Sequence, residues 1–358
     1  MKAALALEDG TYLEGKAFGA EREATGEIVF CTSMTGYVEA LTDPSYKGQI
    51  LMMTYPLIGN YGVNREDFES DGVKVEGFVV KELCKKPSNW RSEMSVDDLL
   101  KSYDVPGIEG VDTRMLTKKI RIYGSMKAAI GIGDVEKDEL VKKAVEQPFI
   151  SDIDLVDKVC VKEVKRFESD GDLEVVLVDC GVKMSIARQL LKRGVNLTVV
   201  PYDFPAEKIK EMNPDGVFIS NGPGDPARVK PTIETIRKLA GQIPMAGICL
   251  GHQLTALALG AKTFKLKFGH HGSNQPVKDF ETGRVFISSQ NHNFSVDTKT
   301  LPKEFEVTQI NLNDHTVEGM VHREFPLITV QYHPEAGPGP HDTYFFFDRY
   351  VEMLRQYR

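Results

Sequence analysis

The sequence predicts an α/β protein in two parts. A β-rich α+β domain is expected over residues 1–145, and a doubly wound, mostly parallel sheet over residues 174–358. Three observations lead there. Strand-like runs separated by turn residues fill the first part. A charged stretch without a sustained period, residues 146–173, reads as a linker. Strand-like and helix-like runs then alternate to the end. A length of 358 residues accords with two domains at about 150 residues each.

In the first part, KAALALEDGTYLEGKAFG reads as two alternating segments about Asp9-Gly10, a hairpin signal. EIVFCTSM and QILMMTYPLIG are further strand candidates, punctuated by Gly36, Pro44 and Gly48. SVDDLLKSY reads as a helix with Ser95 as its N-cap.

In the second part, LEVVLVDC, VNLTVVPYD, DGVFIS and PMAGIC are short apolar runs. Between and after them come SIARQLLKRG, AEKIKEMN, PTIETIRKLAG and HQLTALALG, with helical spacing. Strands alternating with helices imply βαβ crossovers and a parallel sheet. EFEVTQIN, TVEGMVHRE and PLITVQYH read as an antiparallel extension, and DTYFFFDRYVEMLRQY as a closing helix.

Composition excludes several classes. The net charge is −8 and charged residues make up 27%, which leaves no basic footprint for nucleic acid or an anionic membrane. No run approaches the ~20 apolar residues of a membrane span. The opening MKAALALEDG is broken by acidic residues too early for a signal peptide. Five cysteines, Cys31, Cys84, Cys160, Cys180 and Cys249, show no paired spacing, which argues against a disulfide framework or a zinc site. A reduced, cytoplasmic protein is expected. All eight histidines lie at or after His252, so acid–base chemistry near neutral pH is expected in the second part.

Gly247-Ile248-Cys249-Leu250-Gly251 has the form G-x-nucleophile-x-G. Such an elbow needs a sharp strand-to-helix turn with room for close packing. It sets the sulfur at a helix N-terminus, where the dipole favours thiolate. The pentapeptide alone leaves open a buried hydrophobe or a nucleophile. A thiolate nucleophile wants a base and the base an orienting group. In PLITVQYHPE a strand runs out at His333, Pro334 ends it, and Glu335 follows within reach of the imidazole. Ser220-Asn221-Gly222-Pro223-Gly224-Asp225-Pro226 follows DGVFIS. Its backbone N–H groups are candidates for an oxyanion site together with that of Leu250. Each of the three alone also fits a surface turn. Together they would lie at the carboxyl edge of one sheet, where open parallel sheets bind ligands.

SNGPGDP (220–226), GICLGHQ (247–253) and HPE (333–335), in that order, resemble the motifs of the class I glutamine amidotransferases. The resemblance covers residues 174–358. It extends further: FCTSMTGYVEALTDPSYKGQI (30–50), YPLIGNYGVN (55–64), GVDTR (110–114), FGHHGSNQPV (268–277) and SSQNHNFSVD (288–297) resemble the small, glutamine-hydrolysing chains of carbamoyl phosphate synthetases. Other amidotransferases lack this N-terminal domain. The resemblance implies glutamine hydrolysis through a γ-glutamyl thioester, and a large partner chain that uses ATP, magnesium and bicarbonate and receives the ammonia for arginine and pyrimidine biosynthesis. It implies no cofactor or metal in this chain. No G-x-x-x-x-G-K or G-x-G-x-x-G motif is present.

Carried over by motif, Cys249 attacks the amide carbon, His333 is the general base and then the acid, and Glu335 orients His333. Gly222 and Leu250 supply oxyanion N–H groups. Gly224, Gln253, Asn291, Asn293 and Phe294 match glutamine-contacting positions, as does Ser33 from the N-terminal domain. Asn293 departs from the family, which has glycine there. If that glycine needs a positive φ, asparagine is among the few residues to tolerate it. His252 reads as structural, His270-His271 as hydrogen-bonding rather than zinc-binding, Cys180 as buried or lining the pocket, and Cys31, Cys84 and Cys160 as packing. Two other functions stay open at this point: a glutaminase serving another synthetase, and a non-catalytic scaffold of the same fold.

Overall fold

Backbone alternation in the first segments closes into a barrel. The computed structural model describes residues 1–358, which divide into two units: Met1–Ile153 with Lys267–Gly272, and Asp154–Leu266 with Ser273–Arg358.

In the first unit, β1 (Lys2–Leu7) and β2 (Tyr12–Gly19) pair antiparallel about Asp9–Gly10. Gly10 takes φ 86°, which a side chain would disfavour. The chain continues through β3 (Ala24–Cys31), α1 (Tyr37–Thr42), β4 (Gln49–Met53), β5 (Leu57–Ile58), β6 (Gly77–Val80), β7 (Glu82–Leu83) and α2 (Val96–Ser102). Then come β8 (Pro106–Glu109), α3 (Thr113–Tyr123), β9 (Met126–Ile132) and α4 (Lys137–Glu146). The Ser95 hydroxyl accepts from the Asp98 N–H at 3.1 Å and caps α2 as expected. The strands close in the order β1-β2-β8-β6-β4-β3-β9, which removes free sheet edges. Helices α1, α3 and α4 and strands β6, β7, β8 and β9 went unforeseen. The inward stripes of α3 and α4 are only two or three residues long: Thr113, Leu116 and Ile120 in one, Leu140 and Ala144 in the other.

The second unit holds β10 (Lys165–Phe167), β11 (Leu173–Asp179), α5 (Met184–Leu191), β12 (Val195–Pro201), α6 (Ala206–Glu211), β13 (Gly216–Ile219), α7 (Lys230–Leu239), β14 (Met245–Ile248) and α8 (Leu250–Ala258). It continues with β15 (Thr263–Asp279), β16 (Val285–Val296), β17 (Phe305–Asn311), β18 (Val317–His322), β19 (Leu327–Val330) and α9 (Phe345–Tyr357). Its ten-stranded sheet runs β10-β12-β11-β13-β14-β19-β18-β17-β15-β16. Pairing is parallel from β12 through β11, β13 and β14 to β19.

Alternate residues of these strands enter two cores. Val176, Val178, Val217 and Ile219 pack with Ile209, Ile236 and Leu254 of α6, α7 and α8. Val175, Leu177, Phe218 and Ile248 pack with Ile186 and Leu190 of α5 and Phe347 and Tyr350 of α9. Helices on both faces make the sheet doubly wound, as the alternation predicts.

Three expectations are refined. PLITVQYH does not sit wholly in an antiparallel extension: β19 is parallel to β14, with Gly247 opposite Thr329, and antiparallel only to β18. Its apolar run is that of a central strand buried on both sides. Residues 146–173, read as a linker, are shared between the units, and Lys165–Phe167 adds an antiparallel edge to β12. The middle of β15, Lys267–Gly272, gathers with the first unit, where Ser125 N–H bonds to the Lys267 carbonyl at 2.9 Å and Phe268 stacks on Phe30.

Candidate active site

The carboxyl ends of β11, β13, β14 and β19 are adjacent by the sheet order. Each leads into one of the segments singled out above, apart from β11, which contributes a residue the sequence reading passed over.

Cys249 follows β14 and is the N-cap of α8, with φ 53° and ψ −102°. A non-glycine residue in that region stores strain of about 1–3 kcal/mol, held by surrounding structure. The restraint is visible. The Cys249 N–H bonds to the Val330 carbonyl at 2.8 Å, its carbonyl accepts from the Gln253 N–H at 3.2 Å, and its thiol donates to the Asn291 carbonyl at 3.6 Å. The flanking glycines are steric requirements. A Cβ at Gly251 would lie 2.3 Å from the Ile219 carbonyl oxygen, and one at Gly247 would lie 2.8 Å from the Gly251 backbone. Leu250, the first residue of α8, has an N–H without an intrahelical acceptor.

The SNGPGDP loop is tied to the end of β11. Ser220 Oγ accepts from the Cys180 N–H at 2.9 Å, and Asn221 Oδ1 accepts from the Lys183 N–H at 3.0 Å. A Cβ at Gly222 would meet the Cys180 carbonyl oxygen at 2.1 Å and Leu250 Cδ2 at 2.8 Å. The loop therefore abuts the elbow because residue 222 has no side chain. Gly224 takes φ 88°, the left-handed turn that leads into the Asp225 cap.

His333 and Glu335 lie beyond β19, both buried. Glu335 Oε1 accepts from His333 Nδ1 at 2.6 Å. The same oxygen is 3.0 Å from Nζ of Lys183, which also donates to the Ala336 carbonyl at 2.6 Å. Burial alone would raise the Glu335 pKa. The cations at Lys183 and His333 outweigh it and hold the carboxyl below the usual carboxylate range. Burial alone would lower the His333 pKa, but the Glu335 charge and the Cys249 sulfur more than offset this, so the imidazole is held above its ordinary range. Nε2, the ring nitrogen that Glu335 does not use, is buried and held by no fixed hydrogen bond, which leaves it for proton transfer.

Gln253, one turn along α8 from Cys249, donates from Nε2 to the Phe294 carbonyl at 2.7 Å and to Gln331 Oε1 at 3.0 Å. Asn291, Asn293 and Phe294 lie in β16. Asn293 is extended strand there and is not among the residues of positive φ. The left-handed loop considered for it is absent, because the segment is a long strand of the sheet. Ser33 lies in the first unit, buried beyond β3, where it hydrogen-bonds the Cys31 side chain. His252 is fully buried against Thr329 Oγ1 at 2.9 Å, a structural role. Lys183 is the buried partner of Glu335 that the sequence reading missed. Its signal was slight: a lysine four residues past the end of a buried strand, just before a helix.

Two family models match the chain: carbamoyl-phosphate synthase small chain, CPSase domain, over residues 5–130, and glutamine amidotransferase class-I over residues 176–353. Among curated proteins, carbamoyl phosphate synthase small chain of Archaeoglobus fulgidus is 95% identical over all of both chains. Those of Methanopyrus kandleri and Methanocaldococcus jannaschii are 55% identical over 100% of both and 54% identical over 99% of both.

Proposed function

The chain belongs to the carbamoyl phosphate synthase small-chain family, and from that premise we propose how its residues hydrolyse glutamine and whom they serve. Cys249 is the nucleophile. Its sulfur attacks the side-chain amide carbon of glutamine, and the thiol proton passes to His333 Nε2. His333 returns a proton to the amide nitrogen as the C–N bond breaks, which releases ammonia and leaves a γ-glutamyl thioester. Water, deprotonated by His333, then attacks the thioester carbon. The C–S bond breaks, glutamate leaves, and the proton returns to the sulfur. Glu335 and Lys183 hold the imidazole in place throughout. The N–H groups of Gly222 and Leu250 stabilise the oxyanion in both steps, with Gly224, Gln253, Asn291, Asn293 and Phe294 lining the glutamine.

The observation that carries this reading is the strained, buried cysteine on its elbow in one unit with a buried His333–Glu335–Lys183 array. The match over residues 5–130 favours carbamoyl phosphate synthesis over another synthetase. The intact array disfavours a scaffold. The partner is the large synthetase chain, which takes the ammonia for carbamoyl phosphate formation. Ammonia is mostly protonated near neutral pH and then has no nucleophilic lone pair, so the handover needs a passage closed to bulk water.

The test is glutamate release from glutamine with the large chain present. Wild type should release glutamate, and Cys249→Ser should not, while carbamoyl phosphate synthesis from added ammonia stays intact. Equal loss of both activities would assign Cys249 to folding. Undiminished release by the serine variant would remove it from the reaction.

A further inference from the structure

Four successive backbone N–H groups just past β11 are held by side-chain oxygens. The Cys180 N–H donates to Ser220 Oγ at 2.9 Å. Those of Gly181 and Val182 donate to Asp179 Oδ1 at 2.8 and 2.7 Å. That of Lys183 donates to Asn221 Oδ1 at 3.0 Å. A chain that turns out of a strand leaves its N–H groups without ladder partners, and buried ones need acceptors. Here the acceptors come from the last residue of the strand and from two residues of the SNGPGDP loop.

Asp179 does more than close that turn. It is buried, and its second oxygen, Oδ2, accepts from the Val161 N–H at 2.7 Å. Val161 belongs to the segment 154–162, whose first residue opens the second unit. Val156 and Cys160 anchor this segment in the core with Val178 and Leu254. The segment also lies against the turn and the loop. A Cβ at Gly181 would stand 3.0 Å from Val159 Cγ2 and 3.2 Å from the Gly222 Cα, and one at Gly224 would stand 3.6 Å from Leu155 Cβ. The turn in its place bounds Gly222. The space for a Cβ at residue 222 is taken by the Cys180 carbonyl oxygen, at 2.1 Å, and by Leu250 Cδ2, at 2.8 Å. The Gly222 backbone is therefore clamped between the turn and the elbow.

We propose that Asp179 is a positioning residue for glutamine hydrolysis. One carboxyl oxygen sets the 180–183 turn, the other ties the 154–162 segment to it, and the turn so held seats the Gly222 N–H for the oxyanion. This role rests on the hydrolysis proposed above, in which Gly222 supplies that N–H. Asp179 itself touches neither substrate nor sulfur in that scheme. The oxyanion exists only beyond the ground state, so a displaced N–H lowers kcat and kcat/KM together and leaves KM unchanged.

The test compares Asp179→Asn and Asp179→Ala with wild type, each in complex with the large chain. In Asp179→Asn the amide oxygen serves the N–H groups of Gly181 and Val182, which leaves its NH2 facing the Val161 N–H, donor against donor. Its kcat for glutamine should fall about tenfold, the worth of one hydrogen bond, with KM and ammonia-dependent synthesis unchanged. Asp179→Ala loses all three acceptor contacts and should fall about a hundredfold, the level of a misplaced catalytic group. If Asp179→Ala does not fold, Asp179→Asn decides alone. A residue that only held the fold together would lower the melting temperature and leave kcat at its wild-type value below the melt. That result in Asp179→Asn, or its failure to fold, would overturn the positioning role. So would a raised KM at constant kcat, which would place the residue in glutamine binding, and so would an equal loss of glutamine- and ammonia-dependent synthesis. Absence of glutamate release by wild type would instead remove the hydrolysis reading, and this role with it.

Discussion

Lys183 Nζ and Glu335 Oε1 lie 3.0 Å apart, both side chains essentially inaccessible to water. The carboxylate oxygen they share with His333 Nδ1 joins the end of the first parallel strand to the end of the last. A buried ion pair is costly to break because the surviving charge has no solvent. Lys183→Met should therefore destabilise the chain by about 3–5 kcal/mol. It should also reduce glutamine turnover, because Glu335 loses the partner that keeps it ionised. Thermal melts and glutamate release check both, and a variant matching wild type in the two assays would remove Lys183 from the array.

Cys249 should oppose stability and activity. At φ 53° and ψ −102° it occupies a region that glycine enters at little cost. Cys249→Gly should melt higher than wild type by an amount worth about 1 kcal/mol and release no glutamate. A lower melting temperature would mean that the thiol's contacts outweigh the relief of strain.

Gly251→Ala should be far more damaging than Gly224→Ala. The new Cβ at 251 would stand 2.3 Å from the Ile219 carbonyl oxygen, a backbone atom that cannot yield without moving the sheet. At 224 the nearest neighbour would be Leu155 Cβ at 3.6 Å, and the cost is limited to the left-handed φ. Overpacking a rigid contact costs about 1–3 kcal/mol or more. Denaturant midpoints of the two variants provide the comparison, and equal losses would show that the elbow adjusts freely.

His252 should set part of the acid limb of stability. Burial depresses its pKa to about 3 in the folded chain, against an ordinary value of 6.5. The unfolded chain then binds a proton below about pH 6.5 that the folded chain refuses. Stability from this residue is full above that pH and falls between about 6.5 and about 3, by roughly 1.4 kcal/mol per pH unit at most. His252→Gln should reduce that slope while leaving the Thr329 contact available. Identical slopes in urea titrations across pH 4–7 would assign the acid limb to other groups.

Much of the second unit was legible in the chain. Short apolar runs alternating with amphipathic ones specified a parallel sheet with helices on both faces, because periods of 2 and 3.6 are local properties. Glycines at 222, 247 and 251 announced close backbone approach, and each meets a carbonyl or main-chain atom where a Cβ would stand. Cys249, His333 and Glu335 could be named as candidates from motifs because Cys249 follows one strand end and His333 and Glu335 follow another.

What the chain left unsaid depended on distant contacts. The placement of β19 beside β14 is set by which strands bury one another, and only that placement brings His333 to the sheet edge of Cys249. Asn293 looked like a loop residue and is strand, since β16 draws its pairing from the sheet rather than from its own turn signals. Lys183 looked like an ordinary lysine ahead of a helix and is a buried partner of Glu335, 152 positions along the chain. Local strand–turn chemistry was enough to mark Cys249 and His333 as the proposed nucleophile and base and to give the kind of sheet that carries them. Which buried charges are paired came from the folded chain, because pairing depends on the desolvated neighbours that folding brings together.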